Sequence, residues 1–418
     1  MNLHEQMLDM GDRAVRAARE LAKLSARRKN SILEAMAAEL DARRDALKAA
    51  NAEDMAAGRQ AGLSAALLDR LLLTDARLDS MIKGLRSVVA LKDPVGAKIS
   101  RWIRPNGLVI QKVRVPIGVI AILYEARPNV TADAASLCFK TSNAVILRGG
   151  KEAQRSNAAI AAAMQEGGVK KGLPADAIQL VATTDRDAVR ELVQLEGRVD
   201  LVIPRGGEGL IRAVVEQARV PVIKHYKGVC HVYVDESADA DMALSIIENA
   251  KCQRPGVCNA IEKVLVHEKI AAAFLPRMAE RLRARGVELR GDAAARALVP
   301  DLKEAVESDW SAEYLDLILA VRVVPDTAAA AAHINTYGSH HSDAIIASQE
   351  AAQKLFTQEV DSATVYVNAS TRFTDGAEFG MGAEIGISTD KLHARGPMGL
   401  EELTTYKYII QGSGQVRP

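Results

Sequence analysis

The sequence predicts an α/β protein in which helices cover parallel β-sheets, preceded by a helical N-terminal region. Residues from about 3 to 91 are rich in alanine and carry apolar side chains at helical spacing. From residue 119, short apolar runs alternate with helical stretches, as in a doubly wound parallel sheet. A second series of such runs begins near Val229, so the 418 residues should form two α/β domains.

The N-terminal region divides into several amphipathic helices. Ile32, Met36 and Leu40 fall on one helical face, which is the spacing of a core-facing stripe. Ser64 and Thr74 have the residue types and positions of helix N-caps. We therefore predict helices rather than strands as far as residue 91.

A β-hairpin is predicted from about residue 99 to 115. Residues 102–104 and 108–110 flank a Pro-Asn-Gly sequence that is typical of a tight turn. Its charged residues argue against a core position, and we expect it to project and pair with another subunit. Residues 404–410 form the last strand, expected at an exposed edge.

Two sets of strands account for the remaining apolar runs. The first set, separated by helices at 153–167 and 187–196, comprises residues 119–123, 144–147, 179–181, 200–203 and 220–223. The second set comprises residues 231–234, 263–267, 317–323, 344–347 and 363–367. Ligands of such sheets bind beyond the carboxyl ends of the strands.

Composition excludes several functional classes. A net charge of +1 gives no reason to expect nucleic-acid or membrane-surface binding. The first 20 residues carry charges throughout, unlike a signal peptide, and no apolar run is long enough to span a bilayer. Four scattered cysteines form neither a disulfide framework nor a CxxC metal pair. We expect a reduced, metal-free, cytoplasmic protein.

The segment from Asn249 to Ala260 is the strongest candidate for catalysis. It joins a helix over 240–250 to the strand at 263–267 through a loop containing Pro255 and Gly256. Cys258 lies on this turn, where Arg254 would favour the nucleophilic thiolate. The alternative is a small buried apolar cysteine. Cys252 is the weaker candidate because it falls in the last helical turn.

Two strand ends could contact a nucleotide. The strand at 144–147 is followed by two cations around two glycines, which are Arg148, Gly149, Gly150 and Lys151. Such residues can hold a ribose or a 2′-phosphate. The second strand end carries Arg205, Gly206 and Gly207 before a helix, where amides would face an anion. Neither segment matches G-x-G-x-x-G, so glycine turns without a ligand remain the alternative.

Three further segments could bind anions. Asn129 follows the first strand and could donate to an oxyanion, although an ordinary helix cap is the alternative. Basic residues at 224–228 could face an anionic substrate, or could form a solvated loop. Ser370, Thr371 and Arg372 follow the last internal strand, where they suit a carboxylate or phosphate, a surface arginine being the alternative.

Taken together, the chain resembles the aldehyde dehydrogenase superfamily along nearly its whole length. The segments that carry the resemblance are residues 124–131, 147–152, 252–262, 309–316, 368–376 and 379–388. The resemblance implies a Rossmann-like domain that binds NADPH/NADP⁺, an α/β catalytic domain and a β extension for oligomerisation. The domains are then expected at 1–98 with 118–226 (cofactor), 227–370 (catalysis), 99–117 with 400–418 (oligomerisation) and 371–399 (return segment).

The resemblance also assigns roles to individual residues. Cys258 becomes the nucleophile and Asn129 the oxyanion donor. The cofactor is expected at Arg148, Gly149, Gly150 and Lys151 (adenosine end), at Arg205, Gly206 and Gly207 (pyrophosphate) and at Glu313 (nicotinamide-side ribose). Arg254, Ser370, Thr371 and Arg372 are expected to bind the anionic substrate. A homo-oligomer, either dimer or tetramer, is implied as well.

One departure from the superfamily narrows the expected reaction. Hydrolytic members carry a glutamate just before the second domain, whereas this chain has Lys224, His225 and Lys227 there and no acid until Asp235. The resemblance then implies NADPH-dependent reduction of L-glutamate 5-phosphate to L-glutamate 5-semialdehyde, with release of phosphate, through a Cys258 thioester in L-proline biosynthesis. A separate glutamate 5-kinase would supply the acyl phosphate. The alternatives are a hydrolytic NAD(P)-dependent aldehyde dehydrogenase and a non-catalytic binding member.

Overall fold

A computed structural model of the chain describes residues 1–417, and at position 66 the backbone alone. The chain divides into two compact units. Unit 1 comprises Met1–Lys224, Gly380–Gly386 and Met398–Pro418, of which Pro418 lies outside the described residues. Unit 2 comprises His225–Phe379 and Ile387–Pro397. None of the described helices combines the length and apolarity needed to cross a membrane.

Unit 1 begins with the predicted helices. Ser64 and Thr74 are N-caps, and their hydroxyls accept hydrogen bonds from the amides of Leu67 (3.3 Å) and Arg77 (3.2 Å). This confirms the helical prediction. The helices are α1 (Leu3–Leu21), α2 (Ala26–Ala42), α3 (Arg44–Gln60), α4 (Ala65–Leu71) and α5 (Asp75–Ala90).

Unit 1 contains the predicted parallel sheet. Its four strands are β3 (Val119–Tyr124), β4 (Ala144–Arg148), β5 (Ile178–Leu180) and β6 (Leu201–Arg205), in the spatial order β5-β4-β3-β6. Every residue of the central strand β3 is buried. The sheet is accompanied by helices α6 (Asn129–Lys140), α7 (Gln154–Val169), α8 (Asp187–Val193) and α9 (Glu208–Gln217).

The fifth strand predicted for this sheet, at 220–223, is not formed. Only an isolated parallel bridge joins Val222 to Val202. Val202 donates its amide to the Pro221 carbonyl and accepts from the Ile223 amide, and Pro221 has no amide hydrogen with which to extend the ladder. The prediction of a full strand was wrong for this reason.

The predicted hairpin is present in unit 1. Strands β1 (Lys98–Ile103) and β2 (Val109–Pro116) pair antiparallel, and Gly107 in their turn has φ 87°. The last strand, β16 (Thr404–Gln411), pairs antiparallel with β2. The order β1-β2-β16 leaves β16 at an edge, and all of its residues except the first are exposed.

Unit 2 is built on a seven-stranded sheet with the order β10-β9-β11-β8-β7-β12-β13. Five of these strands are the predicted ones, which are β7 (Cys230–Val234), β8 (Ile261–His267), β11 (Ile318–Val324), β12 (Ser342–Ile346) and β13 (Thr364–Val367). The other two strands of this sheet, which were not predicted, are β9 (Glu288–Gly291) and β10 (Lys303–Glu304). Two further unpredicted strands, β14 (Ile387–Ser388) and β15 (Gly396–Pro397), pair antiparallel in a separate sheet.

Helices cover both faces of the seven-stranded sheet. Val232 and Val234 pack into one apolar cluster with residues of α10 (Ala240–Cys252), α11 (Glu268–Arg283) and α12 (Ala293–Leu298). The intervening Tyr233 packs into a second cluster with residues of α13 (Thr327–Tyr337) and α14 (Glu350–Glu359). Because successive side chains of a strand point to opposite faces, both faces of the sheet are buried.

Candidate active site

Cys258 lies on the turn between α10 and β8, where the sequence placed it, and is partly exposed. Its carbonyl accepts a hydrogen bond from the Cys230 thiol at 3.2 Å. A Cβ atom at Gly228 would come within 2.0 Å of the Cys258 carbonyl oxygen. Glycine at position 228 therefore permits the close backbone approach that fixes this turn. Cys252 is the last residue of α10, as expected.

Arg372 is held beside this turn. Its Nε donates to Gln253 Oε1 at 2.9 Å, and a second guanidinium nitrogen contacts Asn259 Oδ1. Burial lowers the pKa of Arg372, and the neighbouring Arg254 acts in the same direction. Arg254 itself is exposed. The two arginines thus give the Cys258 turn a positive surrounding, with Arg254 directed to solvent.

Ser370 and Thr371 have structural contacts in this arrangement. The Thr371 hydroxyl donates to the Asn259 carbonyl at 2.7 Å, and Ser370 Oγ accepts from the Arg372 amide at 3.3 Å. Both side chains are buried. That Ser370 and Thr371 contact substrate remains a prediction. The observed hydrogen bonds show that they position Arg372 and Asn259.

Two histidines lie next to Cys258. One nitrogen of His225, the Cys258 sulfur and one nitrogen of His341 all lie within 4.8 Å of one another. His225 belongs to the basic segment noted in the sequence, whereas His341 was missed. His341 immediately precedes β12, more than 80 residues after Cys258, and nothing in its local sequence distinguishes it from a core histidine.

Glu313 is anchored in unit 2 by the Gly228 amide, which donates to its Oε1 at 2.7 Å. Leu315 in the same loop has φ 55°, and its amide donates to Glu262 Oε1 at 3.1 Å. Glu262 forms an ion pair with Lys251 at 2.8 Å, and both side chains are fully buried. A buried ion pair thus supports the loop that carries Glu313, close to Gly228.

Lys263 supports the same loop. Its Nζ donates to the Ala312 carbonyl at 2.8 Å and lies 4.4 Å from the ring centre of Tyr314. Burial lowers the pKa of Lys263 to about 7, against the opposing pull of Glu262. The sequence offered no sign of this lysine's role, because it sits inside an apolar strand.

A cavity of about 700 Å³ lies in unit 1 at the carboxyl ends of β3 and β4. Arg148, Gly150 and Lys151 line it, as expected for a nucleotide site. Thr184, Arg186 and Glu152 also line it and were missed by the sequence reasoning. Arg186 is exposed, and it stands in a loop without any glycine motif that could have flagged it.

The guanidinium of Arg148 forms hydrogen bonds mainly with backbone carbonyls of the protein itself. It donates to the carbonyls of Gly149 (2.8 Å), Thr184 (3.0 Å) and Asp185 (3.3 Å). The Nε atom of Arg148 is buried without a hydrogen-bond partner. Burial also lowers the pKa of the Arg148 guanidinium. Arg148 therefore holds the loop at 184–185, while the exposed Lys151 and Arg186 present charge to the cavity.

The glycines of the two strand ends face side chains of the protein. A Cβ atom at Gly149 would lie 2.0 Å from Asn157 Nδ2, and one at Gly206 would lie 2.4 Å from Glu125 Oε2. The same Glu125 oxygen accepts from the Gly207 amide at 2.9 Å. The anion at the N-terminus of α9 is thus the protein's own carboxylate. Arg205, Gly206 and Gly207 do not line the cavity, whereas Gly209 of α9 does.

Asn129 is the exposed first residue of α6. Its side-chain amide donates to Asp133 Oδ2, one helical turn later, at 2.9 Å. Burial raises the pKa of Asp133 to about 6, against the hydrogen bond from Asn129 and the charge of Arg205. An amide group has two N–H donors, so Asn129 can orient one on Asp133 and offer the other to an oxyanion.

Comparisons with known proteins agree on one family. The model of the aldehyde dehydrogenase family matches residues 4–295. The gamma-glutamyl phosphate reductase of Moorella thermoacetica is 58% identical over 417 residues, covering 100% of both chains. That of Halothermothrix orenii is 54% identical, with the same coverage. The crystal structure of gamma-glutamyl phosphate reductase from Thermotoga maritima superposes with a TM-score of 0.97 at 48% identity, covering 99% of this chain and 100% of the other.

Proposed function

Because the chain belongs to the aldehyde dehydrogenase family and matches gamma-glutamyl phosphate reductases along its whole length, we propose that it reduces L-glutamate 5-phosphate to L-glutamate 5-semialdehyde in proline biosynthesis. The observation that carries this proposal within the molecule is Cys258. It is a partly exposed thiol on a tightly packed turn with two arginines nearby. The segment 224–228, whose Gly228 packs against this turn, contains no carboxylate.

Cys258 is the nucleophile in this proposal. Its thiolate attacks the acyl carbon of the substrate, the carbon–oxygen bond to phosphate breaks, and the departing phosphate takes a proton from solvent. A thioester on Cys258 results. The positive charges of Arg254 and Arg372 favour binding of the anionic substrate.

The acyl group leaves Cys258 by reduction. A nicotinamide dinucleotide bound to unit 1 would supply the hydride for this reduction. The carbon–sulfur bond to Cys258 then breaks, which releases the aldehyde and restores the thiolate. Asn129 is proposed to donate to the oxygen that becomes negative in both steps. No water is consumed, which agrees with the residues Lys-His-Tyr-Lys-Gly at 224–228, none of which is the glutamate that hydrolytic relatives use.

The cavity of unit 1 fits the adenosine end of NADPH. Lys151 and Arg186 are exposed cations on its lining, suited to a 2′-phosphate, and Gly150 lets a ribose approach the backbone. The pyrophosphate is proposed to bind at Gly207, but the amide of Gly207 already donates to the Glu125 carboxylate. A phosphate can reach that amide only if the Glu125 carboxylate moves away from it. Glu313 is proposed to hold the nicotinamide-side ribose.

The substrate is a mixed anhydride, so an enzyme that phosphorylates the side-chain carboxylate of glutamate must supply it. We propose a separate glutamate 5-kinase in that role. The roles expected for the domains, which are cofactor binding, catalysis and oligomerisation, are proposals too. Residues 371–399, expected as one return segment, are divided between the two units, with 380–386 and 398–399 in unit 1 and 371–379 and 387–397 in unit 2.

The reverse reaction tests the proposal. With L-glutamate 5-semialdehyde and NADP⁺, we expect NADPH absorbance to appear only when inorganic phosphate is added, because phosphate must release the acyl group from Cys258. Sulfate at equal ionic strength is the control. A steady rate without phosphate would indicate a hydrolytic aldehyde dehydrogenase instead, and no rate under any condition would indicate a non-catalytic member of the family.

A further inference from the structure

The cluster of His225, Cys258 and His341 has the composition of a transition-metal site. Each side chain offers one ligand atom, and the three atoms lie within 4.8 Å of one another. It is the one group of three metal-binding side chains found at such distances in the described part of the chain. Two imidazoles and a thiolate are ligands that Zn²⁺ prefers.

The two rings are oriented by outer contacts of the kind that metal-binding histidines usually have. His225 Nδ1 lies 2.8 Å from the Ile387 carbonyl, so in the neutral ring Nδ1 is the donor and Nε2 carries the lone pair. His341 Nδ1 lies 2.9 Å from Ser342 Oγ, which in turn lies 2.7 Å from Thr374 Oγ1. These contacts fix the rings without involving Cys258.

The separation of the ligand atoms allows one ion to reach all three. Three atoms 4.8 Å apart, the upper limit here, would each lie about 2.8 Å from their common centre. Zinc bonds to nitrogen and sulfur are about 2.0–2.3 Å long. Closing that gap takes shifts of about 0.5–0.8 Å per ligand atom. His225 and Cys258 are only partly buried, so side-chain rotations there can supply most of the movement.

We propose that these three residues form a binding site for a thiophilic divalent cation, represented by Zn²⁺, that switches Cys258 off reversibly. Binding replaces the thiol proton, which passes to solvent, by a sulfur–metal bond. The fourth tetrahedral position stays open to water. A thiolate bound to the ion is no longer available to attack an acyl group. Metal binding stands on the cluster alone, whereas the loss of activity rests on the proposed function.

Cobalt(II) is the direct probe, since it takes the same tetrahedral geometry as zinc and reports its ligands in its spectrum. Titration of the full chain with Co²⁺ should give one equivalent bound, with a thiolate-to-cobalt charge-transfer band. Cys258→Ser should abolish that band. His225→Gln and His341→Gln should each weaken Co²⁺ binding by about tenfold or more. Zn²⁺ should slow alkylation of Cys258 by iodoacetamide, read by peptide mass spectrometry.

Two variants serve as matched controls outside the cluster. Cys252→Ser removes the other partly exposed thiol, and His340→Asn removes the neighbouring histidine with a residue that tolerates its φ of 58°. Both should bind Co²⁺ within about twofold of the parent chain. His225 is only partly buried, so its variant decides the question even if His341→Gln does not fold.

The proposal is overturned if no charge-transfer band forms at millimolar Co²⁺, or if the band and its affinity survive His225→Gln unchanged. These readouts use no substrate. A chain that binds Co²⁺ as expected but shows no phosphate-dependent reaction would therefore retain the metal site while losing the proposed function. The opposite pattern would remove the metal site alone.

Discussion

At the scale of single residues, the structure distinguishes the roles of the positive side chains that line the cavity of unit 1, which the sequence could not. Arg148 and Lys151 were expected to act alike, but Arg148 points its guanidinium at the carbonyls of Gly149, Thr184 and Asp185. The direction of an arginine side chain depends on neighbours distant in sequence, so the motif alone could not reveal it. Lys151 and Arg186 are left as the exposed cations of the lining.

We expect Lys151→Ala and Arg186→Ala each to lower kcat/KM for NADPH by about tenfold, the effect of losing one charge-assisted contact to a phosphate. The value for NADH should change little, because NADH has no 2′-phosphate. Arg148→Ala should instead impair both cofactors, since it releases the 184–185 loop. Steady-state kinetics with both cofactors checks this, and equal losses for NADPH and NADH in Lys151→Ala would contradict it.

The buried carboxyl of Asp133 should make the stability of the fold depend on pH. Burial raises the pKa of this carboxyl from 3.8 to about 6. The folded state therefore binds this proton more tightly than the unfolded chain, and the stability gained from it is present below about pH 4 and lost as the pH rises through 6. Ionised Asp133 costs up to about 3 kcal/mol at neutral pH.

Asp133→Asn should remove that cost while keeping an oxygen acceptor for Asn129. We expect the variant to be more stable than the parent by about 3 kcal/mol at pH 7.5, and this difference should shrink to about 1 kcal/mol at pH 4.5. Urea unfolding at the two pH values, followed in the same buffer series, measures the difference. A variant that is less stable at both pH values would show that the charged carboxylate is favourable where it stands.

At the scale of elements, the α10–turn–β8 segment was predictable because its helix, its Pro-Gly loop and its strand each leave a local pattern. The partners that hold the turn were not predictable. Gly228, His341 and Arg372 come from three other segments, and only the fold brings them to Cys258. At Pro221 the local pattern was misleading. The apolar run at 220–223 predicted a strand, but proline lacks the amide hydrogen needed to extend the ladder.

Among the residues that pack against the Cys258 turn from other segments, Gly228 is the most sensitive to substitution. Gly228→Ala would place a Cβ atom 2.0 Å from the Cys258 carbonyl oxygen, a backbone atom that cannot turn aside. We expect a loss of about 3 kcal/mol in unfolding free energy and loss of most activity. Gly256→Ala is the control within the Cys258 turn itself, since the nearest neighbour of the added Cβ atom would be 3.7 Å away. Comparable damage in both variants would mean that the Cys258 turn tolerates no change, and that the contact with Gly228 is not special.

At the scale of the whole molecule, the order of helices and strands was largely readable from the sequence, whereas the way the chain is shared between units was not. Two short stretches near the C-terminus, Gly380–Gly386 and Met398–Pro418, belong to unit 1 although the intervening residues belong to unit 2. Strand β9 was missed because four residues with alternating partial burial leave no apolar run. Such returns and short edge strands depend on tertiary packing.

The sheet β1-β2-β16 bears on assembly. It exposes a set of large apolar side chains, which are Ile99, Trp102, Ile103, Tyr406, Tyr408, Ile409 and Ile410. Tyr406, Tyr408 and Ile410 alternate onto one face of β16, where the Trp102 ring contacts that of Tyr408. Because monomers rarely expose a contiguous apolar patch, we propose that this face joins the subunits of a homo-oligomer. Ile410→Asp should then lower the molar mass measured by light scattering after gel filtration.

The control for this variant is Leu392→Asp, at a side chain that is 86% exposed in unit 2. It should leave the molar mass of the parent unchanged. If the parent chain and Ile410→Asp both have the mass of one chain, the β1-β2-β16 sheet does not join subunits.

Cys258 is the point on which the account of the chemistry depends, and its replacement by alanine is the most direct measurement. In the phosphate-dependent oxidation of L-glutamate 5-semialdehyde, Cys258→Ala should lose at least about a thousandfold in kcat, because no other group can hold the acyl intermediate. Cys252→Ala, prepared in parallel, should keep nearly all activity. Phosphate-dependent turnover by Cys258→Ala at a rate near that of the parent would contradict the thioester mechanism.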